Sequence, residues 1–217
     1  VTDAIVIVPG IYTPRFVLLP LAHRFKQQGY NVTIARHRYL MLTPKQNAES
    51  LYKQIQHLHN PAVHLVGHSL GGLVILHLLN IGQDNAHELP IKRVVLLGAP
   101  VLGSVIARKI HARRWARWLL GKSVISGLLH GVPAQNRSVG QPQRDIGVLY
   151  GTVPAGLSSI LFRMRETGDG VVLAAETQLS AATDRASIPH SHAIMLFSKV
   201  VADKTLQFIR TGQFLSD

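Results

Sequence analysis

The chain has 217 residues, 47% of them apolar and 16% charged, and carries a formal net charge of +12 before any of its 12 histidines protonates. That apolar content supports a packed core and excludes a disordered basic tail, which needs low hydrophobicity together with high charge. The absence of cysteine removes disulfides, thiolate metal sites and cysteine nucleophiles together, leaving hydroxyl, imidazole and carboxylate chemistry.

In chain order, Ala4 to Val8 is a continuous apolar run stopped by Pro9-Gly10, the pattern of a parallel strand buried on both faces. No basic stretch precedes it, so it reads as a strand and not as a signal peptide. Pro14 to Gln28 permits a helix that Gly29 ends. Val32 to Ala35 is the next strand, and Asn47 to His59 the next helix, with Leu51, Ile55 and Leu58 on one face. Val63 to Val66, Leu70 to Leu79 and Val94 to Leu97 continue as strand, helix and strand. Val101 to Asp145 breaks the rhythm. Ile146 to Val153 restores a strand, Ser187 to Pro189 is a short last one, and Ala193 to Arg210 closes the chain as a helix before Gly212. Strands separated by such helices imply right-handed crossovers and a doubly wound, mainly parallel sheet within one α/β domain over 1–217. The longest charge-free apolar run, Val94 to Ala107, is interrupted by Gly98, Pro100 and Gly103 and falls short of the ~20 residues a spanning helix needs. A soluble, cytoplasmic protein is expected, with a membrane-peripheral one as the alternative.

The chemistry gathers at the third strand. Gly67-His68-Ser69-Leu70-Gly71-Gly72 joins an apolar strand to an apolar helix, the context in which a G-x-S-x-G motif places a serine on a sharp turn above the sheet. Side chains two residues either way would collide with strand and helix, and Gly67 and Gly71 answer that demand. Ser69 needs a base, and the base needs a group to orient it. Asp169, in Gly168-Asp169-Gly170-Val171-Val172, and His192, in His190-Ser191-His192-Ala193, follow in the order expected on a doubly wound hydrolase sheet. Taken alone, an Asp between glycines is a turn residue and a His before a helix is a cap. Their joint order after Ser69 is what selects them. His190 competes for the base, and Asp145 and Asp184 for the acid.

Four stretches carry a family resemblance: Val8 to Tyr12, Gly67 to Gly72, Gly168 to Val172, and Ser191 to Ser198. On them the sequence resembles the α/β-hydrolases, and among these the small bacterial lipases and esterases. The resemblance implies Ser69 as nucleophile, His192 as general base and acid, and Asp169 as the group that fixes its tautomer. It also implies an oxyanion hole from the backbone amides of Ile11 and Leu70. Many relatives have His-Gly where this chain has Pro9-Gly10, which leaves Tyr12 as an alternative donor to Ile11. The implied reaction is ester hydrolysis through an acyl-enzyme, with no cofactor. An acyltransferase or thioesterase would use the same residues.

The stretch 101–145 is expected to form a cap shaping the acyl pocket, with Tyr12, His68, Trp115 and Trp118 contacting an ester or lipid substrate. From Leu89 to Arg144 there is no Asp or Glu, while Lys92, Arg93, Arg108, Lys109, Arg113, Arg114, Arg117, Lys122, Arg137 and Arg144 are basic. Across Ser104 to Leu120, Lys109, Arg113 and Arg117 share one helical face, and Val105, Ala112, Ala116 and Leu119 another. That amphipathic pattern suits an anionic lipid surface, though a solvated surface helix has the same pattern. These cations are expected beside or above the site. The charge alone also admits a nucleic-acid or membrane-surface binding module, but no zinc-finger spacing, RNP-like motif or clear helix-turn-helix accompanies it, and no nucleic-acid partner is expected. His57-x-His59, His190-x-His192 and the pair His64 and His68 occur without any H-E-x-x-H, and the last pair crosses from strand to elbow and so lacks the single helical face of a metal motif, so no metal is expected.

Overall fold

The computed structural model describes residues 2–84, 89–113, 121–133, 144–155 and 166–214. Six strands form one parallel sheet in the order β2-β1-β3-β4-β5-β6. The strands are β1 (Ala4–Val8), β2 (Asn31–Ile34), β3 (Val63–His68), β4 (Ile91–Leu97), β5 (Asp145–Gly151) and β6 (Asp184–Ile188). The helices are α1 (Leu19–Gln27), α2 (Pro44–Gln56), α3 (Leu70–Asp84), α4 (Val105–His111) and α5 (Lys199–Thr211).

The apolar runs are continuous because both sheet faces are covered. Successive residues of β1 enter opposite layers: Ala4, Val6 and Val8 pack with α2 and α3, while Ile5 and Ile7 pack with Phe25 of α1 and Phe208 of α5. β4 divides the same way, Val94 and Leu96 on one side, Val95 and Leu97 on the other. This is the doubly wound sheet expected from the sequence. From β1 the chain crosses to β2 on one side and returns to β3 on the other, so the loops after β1 and β3 diverge at a topological switch point, where such sheets place their ligands.

Local chemistry moved several boundaries. The first helix splits into a 3-10 turn, Arg15–Leu18, and α1, with Pro20 tolerated in the helix's first turn. Thr43 and Gln46 cap α2 reciprocally, so it begins before Asn47. β6 starts at Asp184, earlier than Ser187: as an edge strand it carries exposed polar residues that read as loop. The closing helix is interrupted because Ser198, in extended conformation, caps Val201 N, leaving Ile194–Leu196 as a separate 3-10 turn before α5. Among the described residues no helix is long and apolar enough to cross a membrane.

Within 101–145, α4 covers only the start of the expected Ser104 to Leu120 helix, and 114–120 lie outside the described residues. Its buried residues are Ile106 and Ala107, whereas Ala112, assigned to the apolar face by spacing, is exposed. The cause is the seat of the helix: Ser104 Oγ accepts from Ala107 N and Arg108 reaches Leu129 O, which turns Ile106 and Ala107 inward. Val101, Ala107, Val124, Leu128 and Val132 join the core layer of α2 and α3, so the described parts of this stretch are docked on the body.

Candidate active site

Ser69 follows β3 directly and precedes α3. Its amide donates to Leu97 O at 2.9 Å, its carbonyl accepts from Gly72 N at 3.0 Å, and its φ is +53°. Ser69 and Tyr12 are the only non-glycine residues with positive φ among the described residues. For an L residue this region costs about 1–2 kcal/mol, a strain that folds retain at working sites. A Cβ on Gly71 would stand 2.2 Å from Val8 O, so only glycine lets α3 start this close to the end of β1. In turn, a Cβ on Gly10 would lie 3.0 Å from Ser69 Cβ, which sets the Pro9-Gly10-Ile11 loop over the serine. Among the described residues, neither the Ile11 nor the Leu70 amide donates to another backbone group. The loop is held from behind by His37, whose Nδ1–H donates to Pro9 O at 3.0 Å.

Asp169 is 1% exposed, on the loop beyond β5. One carboxylate oxygen accepts from Val171 N (2.9 Å) and Val172 N (2.7 Å), and the other accepts from His192 Nδ1–H at 2.6 Å. A backbone bond from His192 N to Asp169 O, 2.9 Å, doubles the link. With Nδ1 turned to Asp169, Nε2 is the ring nitrogen left free of the carboxylate. The His68 ring packs tilted against this ring, centroids 4.6 Å apart, and its Nε2–H donates to His192 O at 3.2 Å. Burial, then the neighbouring His192, pushes the His68 imidazole down to about 3, so it stays neutral and adds no charge beside the pair. No hydrogen bond closes between Ser69 Oγ and His192 among the described residues. That contact is often long in unliganded sites and tightens with substrate.

The structure therefore gathers Ser69, His68, His192, Asp169, Ile11 and Leu70. His68, read as substrate-lining, is 3% exposed and packs behind His192. Tyr12 is 56% exposed and stands edge-on to Tyr39 at 5.3 Å. Trp115 and Trp118 lie outside the described residues. The rivals sit elsewhere: Asp145 begins β5 at the opposite sheet edge and pairs with Arg93 at 2.9 Å, and Asp184 begins β6 and accepts from Phe214 N. His190 makes no contact with Asp169 side-chain oxygens, both of which are already engaged. Lys92, Arg93 and Arg144 correct the expectation that the basic stretch flanks the site. They stand at the starts of β4 and β5, away from Ser69, and Arg93 and Arg144 bond there to Ile209 O and Ile91 O.

Sequence reading missed two supports. Gly98, at φ +54°, leaves no room for a side chain, since a Cβ would lie 2.9 Å from Asp169 Oδ2 and 3.1 Å from His192 Nδ1. Its Leu-Gly-Ala-Pro context after a strand was the available signal. Glu176 is a buried carboxylate that accepts from Leu173 N (2.9 Å) and Val105 N (2.5 Å), joining the acid loop to the start of α4. Burial raises its pKa against those hydrogen bonds. Nothing in the spacing of a lone Glu announces such a link. Among the described residues no group of three or more His, Cys, Asp or Glu side chains is placed to hold a metal ion.

Residues 17–149 match a family described as a domain of unknown function (DUF7379). No curated protein matches the sequence. Solved structures do resemble it. The mature lipase BlEst2 of Bacillus licheniformis superposes with a TM-score of 0.76 at 21% identity, covering 97% of this chain and 92% of that one. The metagenomic carboxyl esterase MGS0156 gives 0.70 at 16% identity, over 89% and 65% of the two chains. Phospholipase PlaB of Legionella pneumophila gives 0.65 at 18% identity, over 82% and 44%. The fold is that of the α/β-hydrolases.

Proposed function

We propose, from the premise that this chain belongs to the DUF7379 family and carries the α/β-hydrolase fold, that it is a serine hydrolase of carboxylic esters. The observation that carries the reading is the strained Ser69 beside a buried Asp169–His192 pair at the switch point of the sheet. Ser69 Oγ attacks the ester carbonyl while His192 Nε2 takes its proton. The oxyanion accepts from Ile11 N and Leu70 N, each such donor worth about 3–4 kcal/mol in the transition state. His192 then protonates the leaving alcohol, and the acyl group stays on Ser69. Water, deprotonated by the same nitrogen, attacks the acyl-enzyme, the carboxylic acid leaves, and Ser69 regains its proton.

The rim favours apolar esters. Tyr12, Phe16, Leu40 and Met41, on the segments after β1 and β2, and Ile194, two residues beyond His192, are large apolar side chains exposed to solvent. Exposed apolar side chains on the segments that follow the strand ends suit an acyl chain or a lipid surface. BlEst2 and PlaB are named for lipid or ester substrates, which agrees with this class.

The test is hydrolysis of p-nitrophenyl esters of increasing chain length by the wild type, Ser69→Ala and His192→Ala, with a fluorophosphonate probe as covalent readout. Wild type turns over the esters and takes the probe on Ser69, and both variants lose turnover. Undiminished hydrolysis by Ser69→Ala would refute the assignment.

A further inference from the structure

Beyond β2 the chain runs Arg36-His37-Arg38, and the middle residue faces away from its two neighbours. His37 turns to the oxyanion loop at Pro9 O. Arg36 and Arg38 turn the other way and line a cavity of about 350 Å³ against α2. The helix fixes this arrangement through its amide side chains. Gln54 accepts from Arg36 N (2.9 Å) and donates to Arg36 O (3.2 Å), and Asn47 accepts from Arg38 N (3.0 Å). Asn47 and Gln54 lie two turns apart on one helical face, so both arginine backbones are clamped and their side chains start from fixed positions.

Lys53 and His57 complete a lining with four basic side chains and no carboxylate. Glu49, the acid of α2, is not among the lining residues. None of the four basic side chains has an ion-pair or hydrogen-bond partner among the described residues. All four are exposed to solvent, and two guanidinium forks beside an ammonium, with no carboxylate in the lining, match the spread charge of a phosphoryl group better than the single edge of a carboxylate.

We propose that this cavity is a binding site for a phosphoryl group, carried by a soluble phosphate compound or by a phospholipid headgroup. Its two arginines follow β2 on either side of His37, so the cavity lies across this segment from the loop that His37 holds at Pro9 O. The site does not depend on the catalytic assignment, because binding is read without turnover.

Isothermal titration with inorganic phosphate at low ionic strength tests it, on the wild type, Arg36→Gln/Arg38→Gln, and the charge-matched control Arg15→Gln/Lys26→Gln, which removes two exposed cations elsewhere. Saturable one-to-one binding is expected in the wild type, weakened at least about tenfold in the first pair and unchanged in the control. Thermal melts of the first pair should match the wild type, since its structural hydrogen bonds come from the backbone. Competition separates the sources: displacement of phosphate by phosphatidylglycerol vesicles but not by glycerol 3-phosphate identifies a headgroup site, and the reverse a soluble ligand, both supporting the cavity. Absence of saturable binding, an unchanged affinity in Arg36→Gln/Arg38→Gln, or equal weakening in both pairs would overturn the proposal; the last result would assign the binding to the diffuse field of the +12 chain.

Discussion

Asp169→Asn separates the catalytic work proposed for the buried acid from its structural work. In the wild type one oxygen accepts from two amides, Val171 N and Val172 N, and the other accepts the Nδ1 proton of His192. Asparagine keeps an oxygen for the two amides but turns an NH2 toward Nδ1, which can then only accept. The ring proton moves to Nε2, and the base that should take the Ser69 proton is blocked. The orienting acid of a serine triad is worth about 10⁴ in turnover when its geometry survives but its tautomer control is lost. Asp169→Ala differs, because it leaves one buried and one part-buried amide unsatisfied at about 1–3 kcal/mol each, roughly 2–6 kcal/mol of stability in all. Ester turnover measured beside urea unfolding should therefore give an inactive but stable Asn variant and an inactive, destabilised Ala variant. If Asp169→Asn keeps turnover within tenfold of wild type, or if Asp169→Ala unfolds no more easily than Asp169→Asn, the reasoning from these three hydrogen bonds is wrong.

Three further outcomes follow from the supports of the site. His68 has its folded pKa depressed from 6.5 to about 3, so its contribution to stability is present above pH 6.5 and is lost as the pH falls toward 3; unfolding free energy should decline through that window with a slope of up to ~1.4 kcal/mol per pH unit from this residue, and His68→Gln should flatten the curve in urea melts taken at several pH values. Glu176→Ala deprives Leu173 N and Val105 N of their acceptor, for a loss of about 2–6 kcal/mol in the same melts, and a loss below about 1 kcal/mol would mean that the acid loop and α4 are not joined there. Gly98→Ala must push back Asp169 Oδ2 or the His192 ring, and a displacement of that kind should lower ester turnover by about 10- to 100-fold while the chain still folds, as read by circular dichroism.

Much of this site was legible before folding was considered. The G-x-S-x-G turn between two apolar runs carries its own geometry, because the glycines at 67 and 71 are demanded by strand and helix within the same few residues. Continuous apolar runs such as Ala4–Val8 likewise imply a sheet covered on both faces, since each residue's side is set by the period of the strand. Asp169 and His192 were recognisable by order and by resemblance, but their pairing at 2.6 Å depends on loops that leave β5 and β6. The assignment of the cations went astray for the same reason. Lys92, Arg93 and Arg144 belong to the acid-free basic stretch in sequence yet stand at the starts of β4 and β5, at the opposite strand ends from Ser69, while Arg36, Arg38, Lys53 and His57, scattered along the chain, line one cavity.

The sequence by itself determined the alternation of strands and helices, the strained serine turn and the excess of positive charge, because each follows from contacts within a strand, a turn or a composition. Only the tertiary structure decided that His68 backs His192, that Glu176 ties the acid loop to α4, and where the charge converges. Those relations join segments far apart in the chain, and the distance between such segments is set by how the helices pack against the sheet.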